Sequence, residues 1–219
     1  MAGHLPVDRY VAAGLTHNPF AAARTPSAAD LNVAALFVDR GLPDPPSPGS
    51  KTLVQVIAQS GFGKSTQLRH WRSLAPGPYH YVPRTPYTLR WANPVRSPDT
   101  SAETIYGDEI DRMPTMLRWR WFRSLAHRHA TLVIGTHVDL STVGRRAGFN
   151  VLTHRLGPID HRTMQAMIDN QLRAAAVAGH SGPPITAAEL DVELVMTQSR
   201  GIPGEANVVC HRILAQVVL

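Results

Sequence analysis

The sequence predicts an α/β fold in which a five-stranded parallel sheet is flanked by helices and followed by a small all-helical lid. Three observations support this prediction. Short apolar runs alternate with helical patterns between about residues 51 and 157, as is typical of parallel sheets. A glycine-rich turn joins the first apolar run to a helix. From residue 158 onward the chain shows only helical periodicity.

Three regions follow from these patterns: an N-terminal extension and linker (1–50), an α/β core (51–157) and a helical lid (158–219). The extension has one helical pattern, over 28–40, and it ends in a loop with four prolines between residues 41 and 50.

Strands are predicted over 53–57, 79–82, 104–107, 131–134 and 149–153, and helices over 64–74 and 112–129. Lid helices are predicted over 160–178, 186–199 and 203–219. Thr186 with Glu189 forms a capping box at the second of these, and Pro203 suits the first turn of the third.

Composition restricts the function classes. The chain has 219 residues, 43% of them hydrophobic, which is enough for a sizeable core. It has no run of about 18 apolar residues, so we expect no membrane insertion. No secretory signal is visible in the first twenty residues, and Cys210 as the single cysteine fits a reducing cytoplasm. The net charge of +6 favours a polyanionic partner such as DNA, or an evenly basic surface; charge alone does not decide between them.

The glycine-rich turn has the parts of a phosphate-binding loop. Its glycines allow backbone N–H groups to face phosphate oxygens, at the N-terminus of a helix. Lys64 is expected to neutralise the β- and γ-phosphates, and Ser65 to bind Mg²⁺. The motif would have glycine at position 58, where this chain has Ala58. The predicted nucleotide-binding residues are Gln59, Ser60, Gly61, Phe62, Gly63, Lys64, Ser65 and Thr66, with ATP and Mg²⁺ as ligands.

An acidic pair follows the third predicted strand. Asp108 is predicted to bind Mg²⁺ and Glu109 to activate water, because phosphate-loop ATPases carry acids at such a strand end. The alternative is that both acids only stabilise the N-terminus of the next helix, and the two roles are compatible.

The order of these motifs resembles an AAA+ ATPase. Within that class it is similar to the bacterial transposition-regulator and ExeA-type group, related to origin-recognition initiators. The segment from Gly14 to Phe20 looks like the group's N-terminal motif, which implies that Asn18 lies near the nucleotide base. The segment from Ser199 to Pro203 looks like its cap motif, although Gly204 and Glu205 stand where an arginine is usual.

The resemblance implies further roles. Thr136 would be the sensor beside the γ-phosphate, with His137 as a second candidate. Arg145 or Arg146 would be an arginine finger that reaches a neighbouring subunit, in a homo-oligomer with nucleotide at its subunit interfaces.

The leading hypothesis is an ATPase that couples ATP binding and hydrolysis to self-assembly and to a protein or DNA partner, as in transposition. One alternative is a nucleotide-dependent scaffold or switch with little turnover, because of Ala58 and the missing cap arginine. Another is a GTPase, in which Asp139 of the Thr136–Asp139 segment would bind guanine. Trp119 and Trp121 stand among arginines and either contact nucleic acid or belong to the core.

Overall fold

The computed structural model describes residues 7–20, 37–83, 102–177 and 185–218. The chain divides into two compact units. One comprises residues 41–157, and the other comprises residues 1–40 together with 158–219. The N-terminal residues therefore group with the C-terminal helices, whereas the sequence suggested a separate N-terminal region.

The unit 41–157 is built on a five-stranded parallel sheet, as predicted. Its strands are β1 (Thr52–Ile57), β2 (Tyr79–Tyr81), β3 (Thr104–Asp108), β4 (Thr131–Thr136) and β5 (Asn150–Arg155). Their order in the sheet is β2-β3-β4-β1-β5, and every pair is parallel. The strands that carry the glycine-rich turn and the acidic pair, β1 and β3, therefore lie on either side of β4.

The helices of the described residues are α1 (Val7–Ala12), α2 (Lys64–Leu74), α3 (Thr115–His127), α4 (Ser141–Ala147), α5 (His161–Ala175), α6 (Val192–Ser199) and α7 (Pro203–Val217). Two 3-10 helices cover Ile110–Arg112 and Ala187–Leu190. Helices α1 and α4 were not predicted. The helix predicted over 28–40 falls mostly outside the described residues, and residues 37–40 are not helical.

Alternate residues of the strands face opposite sides of the sheet, because strand side chains have a period of two. On one side, Val54 and Val133 pack with Leu68 and Trp71 of α2. On the other side, strand residues including Leu53, Ile105 and Leu132 pack with side chains of α3, among them Phe122 and Leu125. Burying each such side chain is worth about 1.5–3 kcal/mol, so the sheet is fixed from both faces.

The unit of residues 1–40 and 158–219 has its own apolar core. Met164 and Ile168 of α5 pack there with Val195 of α6 and Leu214 of α7. Leu15 joins this core and forms a β-bridge with Ala176. The helix predicted over 186–199 is divided in two.

The division occurs at Asp191, whose φ of 46° ends the 3-10 helix. The Asp191 carboxylate then accepts a hydrogen bond from the Leu194 N–H and so caps α6. The capping box of Thr186 and Glu189 is present at the start of the 3-10 helix. Within the described ranges, the helices are too short or too polar to cross a lipid bilayer.

Candidate nucleotide-binding site

The glycine-rich turn connects β1 to α2 at the carboxyl edge of the sheet. Gly61 and Gly63 have φ angles of 85° and 89°, a region that glycine adopts without steric cost. The φ angle of Ala58 is not positive, and the Ala58 N–H donates to the Thr136 carbonyl at 3.1 Å. Because residue 58 directly follows β1 and its N–H still bonds to β4, its backbone does not need the freedom of the expected glycine. Gln59, Ser60 and Thr66 are exposed, and Phe62 is half-buried against the core.

Lys64 is the first residue of α2 and its side chain is 4% exposed. Its ammonium folds across the turn and donates to the carbonyl oxygens of Ala58 at 2.9 Å and Gln59 at 3.1 Å. It also lies 3.7 Å from a carboxylate oxygen of Glu109. The cation is therefore held at the turn by neutral acceptors and one carboxylate, in the position from which it would meet phosphate oxygens.

Asp108 connects the turn to β3. Its Oδ2 accepts hydrogen bonds from Ser65 Oγ at 2.6 Å and from the Tyr79 hydroxyl at 2.8 Å. Its Oδ1 is buried and has no hydrogen-bond partner within the described residues. A serine hydroxyl beside a carboxylate that keeps one uncommitted oxygen is an all-oxygen donor set, the kind that Mg²⁺ prefers. The residues thus fit the magnesium that the sequence implied.

Tyr79 was missed by the sequence analysis. Burial and the neighbouring Asp108 carboxylate raise the pKa of the Tyr79 phenol far above its usual value, so it remains a hydrogen-bond donor. The contact joins β2 to the end of β3. No local pattern marks it, because the two residues are 29 positions apart and meet only through strand pairing.

Gly135 of β4 makes room for this arrangement. A Cβ atom at residue 135 would lie 2.7 Å from Asp108 Oδ1 and 3.6 Å from the Lys64 Cβ. Glycine inside a strand often marks such a close approach. A side chain here would push the carboxylate away from the start of α2, so this glycine was a readable signal of the site.

Glu109 is the most constrained residue of the site. It is a buried non-glycine residue with a φ of 60°, a conformation that costs free energy and is found preferentially at functional sites. Its Oε2 lies 2.7 Å from a guanidinium nitrogen of Arg112 and 3.2 Å from Nδ1 of His137. The Glu109 carboxylate thus lies close to three basic side chains, those of Lys64, Arg112 and His137.

The end of β4 carries the two sensor candidates. The Thr136 side chain is buried, and its hydroxyl donates to the Val138 carbonyl at 2.9 Å. His137 contacts acidic side chains instead. Its backbone N–H donates to Oδ1 of Asp111 at 3.1 Å, and its Nδ1 lies 3.1 Å from Oδ2 of the same residue. Burial would raise the pKa of Asp111, but these hydrogen bonds outweigh burial and lower it. Of the two candidates, His137 is the one in contact with Glu109.

Arg145 and Arg146 lie in the last turn of α4 and are exposed. Helix α4 leads from the carboxyl end of β4 back to the start of β5, where Asn150 pairs with Thr52 at the start of β1. The Arg145 guanidinium reaches back one turn along α4 and donates to Ser141 Oγ at 3.1 Å. Action of either arginine on a nucleotide stays a prediction.

Asp139 is committed to the fold. One of its carboxylate oxygens accepts from the Ser141 N–H at 2.8 Å and from the Gln55 side-chain amide at 2.9 Å. These hydrogen bonds lower the pKa of Asp139 to about 2. The other oxygen lies 3.4 Å from Arg155. A carboxylate used in this way is poorly disposed to bind guanine, as the GTPase alternative requires.

Asn18 belongs to the other unit. Its amide nitrogen donates to the Tyr10 hydroxyl at 3.1 Å and lies 2.9 Å from Nδ1 of His211. Its carbonyl oxygen accepts from the Phe20 N–H. The side chain is buried and its groups are used within this unit, so a role near the nucleotide base stays a prediction.

Comparison with known proteins identifies the fold. No protein-family model and no curated protein matches the sequence. Solved structures do match: a variant of Thermotoga maritima RuvB has a TM-score of 0.56 at 16% identity, covering 76% of this chain and 56% of that one. The RuvB described as a Holliday junction branch migration motor has a TM-score of 0.53 at 18% identity, with coverage of 76% and 55%.

The five-stranded parallel sheet, the flanking helices and the C-terminal helical region thus have a RuvB-like fold. Since the match covers little more than half of RuvB, and identity is low, the likeness concerns the fold.

Proposed function

We propose that this chain binds ATP with Mg²⁺ and hydrolyses it as an AAA+ module, at sites completed by neighbouring copies of the chain. The observation that carries the proposal is the 2.6 Å hydrogen bond between Ser65 and Asp108, which joins the glycine-rich turn to the acidic strand end. These two residues are 43 positions apart, and a chance glycine-rich turn would not be expected to meet a buried carboxylate there.

The proposal gives each residue of the site a distinct role. Lys64 and the turn N–H groups bind the phosphates, and Ser65 with Asp108 would hold Mg²⁺, which supplies positive charge to the β- and γ-phosphate oxygens. Glu109 takes a proton from the attacking water through Oε1, because Oε2 is the oxygen that contacts Arg112 and His137. Arg145 or Arg146 stabilises charge at the neighbour's site.

ATP is favoured over GTP because Asp139 is used to cap α4 and to bind Gln55. The coupling of nucleotide to self-assembly and to a partner is part of the same proposal. Its support is the exposure of Arg145 and Arg146 in the last turn of α4, where a neighbouring copy could reach them.

The second candidate is a nucleotide-dependent switch with little turnover. It is favoured by the contacts of Glu109 Oε2 with Arg112 and His137, which engage one oxygen of the proposed base. It is also favoured by Gly204 and Glu205, which stand where the resemblance leads us to expect an arginine. A phosphate-release assay at several protein concentrations distinguishes the candidates, since an enzyme with sites between subunits becomes more active per chain as it assembles.

The first test of binding is Lys64→Ala. We expect ATP binding, measured by isothermal titration calorimetry, to be lost both with and without Mg²⁺. The matched control is Lys51→Ala, because Lys51 and Lys64 are the two lysines of the chain and Lys51 precedes β1 at the opposite edge. Unchanged ATP affinity in Lys64→Ala, or equal losses in both variants, would contradict the proposed site.

A further inference from the structure

The outer face of α3 is basic. The thirteen residues of this helix include three arginines and one histidine and no acidic residue. Trp121, Phe122 and Leu125 point into the core. The opposite face carries Arg120, Arg123 and His127, all exposed, at spacings of three and four residues that put them on one side of the helix.

The face continues beyond these cations. Met116, one turn before Arg120, is 70% exposed, and Trp119 is half-buried beside it. After the helix ends, Arg128 and His129 are also exposed. We call Met116, Trp119, Arg120, Arg123 and His127 the α3 face.

Arg120 and Arg123 have no carboxylate partner among the ion pairs of the described residues. Cations in a last turn do stabilise a helix through its dipole, by about 0.3–1 kcal/mol each, but Arg120 lies in the middle of α3. Met116 and the partly exposed Trp119 add apolar surface next to these cations. The face therefore has the charge and the apolar contacts of a binding surface.

We propose that the α3 face binds the phosphate backbone of nucleic acid. From Arg120 to His127 the helix rises about 10 Å, a distance over which a DNA duplex carries roughly six negative charges. The strong cations of the face are arginines, whose planar guanidinium groups bind phosphate oxygens in pairs. Trp119 and Met116 offer contacts to a base or sugar next to those phosphates.

The same helix is tied to the nucleotide site. Arg118, on the buried side of α3, donates to the carbonyl oxygens of Asp111 at 3.0 Å and Met113 at 3.4 Å. Arg112, in the same segment, holds Glu109 at 2.7 Å. The helix that carries the α3 face thus also anchors the segment that bears Glu109.

The test is fluorescence anisotropy with labelled single-stranded and duplex oligonucleotides of one length, without nucleotide, at several salt concentrations. The variant is Arg120→Glu/Arg123→Glu. The matched control is Arg162→Glu/Arg212→Glu, which makes the same change in net charge at exposed positions of α5 and α7. Arg120→Gln/Arg123→Gln serves as a milder variant if the reversal impairs folding in a thermal melt.

We expect the α3 variant to lose at least tenfold in affinity, and the slope of log K against log salt to fall by about two, roughly one for each phosphate contact removed. The control should keep the wild-type slope. The two oligonucleotides identify whether the ligand is a single strand or a duplex.

Three outcomes would overturn the proposal: no binding of either oligonucleotide, equal losses in the control, or competition by poly-glutamate at the same charge concentration, which would indicate an acidic protein partner. Failure of the proposed nucleotide site is separable, because Lys64→Ala should still bind nucleic acid as the wild type does. Loss of ATP binding in the α3 variant would instead report damage to the fold.

Discussion

Tyr79→Phe removes one hydroxyl and keeps the ring, so it isolates the 2.8 Å hydrogen bond to Asp108. Asp108 Oδ2 has two hydrogen-bond donors, Tyr79 and Ser65. If Ser65 turns its oxygen to Mg²⁺, as proposed, Tyr79 is left as the donor that orients the carboxylate. The variant should therefore weaken binding of ATP with Mg²⁺ and leave binding of metal-free ATP unchanged.

The size of the effect follows from the contact. Hydrogen bonds to charged groups are worth about 1.5–3 kcal/mol. Tyr79 is half-buried, so the lower end applies, and ~1.5 kcal/mol corresponds to roughly a tenfold weaker Kd. Isothermal titration calorimetry of ATP, with Mg²⁺ and with a chelator, measures the two affinities separately.

The control is Tyr81→Phe on the same strand. Tyr81 is 54% exposed, and its hydroxyl makes only a 3.4 Å contact with Arg112, so its loss should leave both affinities unchanged. Equal weakening with and without Mg²⁺ in Tyr79→Phe would mean that the hydroxyl supports the fold and not the carboxylate. No change in either affinity would refute its role in orienting Asp108.

Three further predictions concern turnover and stability. Glu109→Gln should keep ATP affinity but stop phosphate release; persisting release would exclude Glu109 as the base. Arg145→Ala/Arg146→Ala should bind ATP without hydrolysing it, and mixing with Lys64→Ala should restore activity, since each variant supplies what the other lacks; no recovery would argue against action in trans. The pKa of Asp139 is lowered to about 2 on folding, so its stabilising contribution is complete above its ordinary pKa and is lost as the pH falls towards 2. In thermal melts, Asp139→Asn should be less stable than the wild type at pH 7, with the difference disappearing near pH 2; a constant difference would contradict this.

The three central strands, β1, β3 and β4, were predictable because they are short and buried on both faces, whereas the edge strands β2 and β5 are partly exposed. β1 and β4 have six buried residues each, and such runs are apparent in the sequence without knowledge of neighbours. The α/β fold with a parallel sheet and a C-terminal helical region followed from the order of strands, turn and helices.

Helix α4 was not predictable in the same way. It has seven residues, with Gly144 in the middle, which lowers helix propensity. The reason for the glycine is tertiary: a Cβ at residue 144 would lie 2.3 Å from a methyl group of Leu53 on β1. The interruption of the predicted helix at Asp191 was not predictable either, because the helical spacing of apolar residues continues across it while the backbone adopts a φ of 46°.

Within the candidate site, the residues of the turn were predictable because their spacing along the chain is local. The surroundings of Glu109 were not, because Arg112 is near in sequence but His137 comes from another strand. Tyr79 contributes through strand order, which local patterns do not specify, whereas Gly135 is visible in the sequence as a glycine inside an apolar strand.

The sheet order has a consequence for communication between sites. β4 lies between β1, which precedes the glycine-rich turn, and β3, which precedes Glu109. From the carboxyl end of β4 the chain runs directly into α4. The twelve residues from Gly135 to Arg146 therefore join the nucleotide site of one copy to its proposed contact with a neighbouring copy. Gln55 fixes the middle of this stretch by accepting from the Leu140 N–H and donating to Asp139. If the proposed contact between copies forms, any preference of the stretch for one nucleotide would bias the neighbouring site. Because such coupling is reciprocal for binding, the neighbour would bias it equally in return.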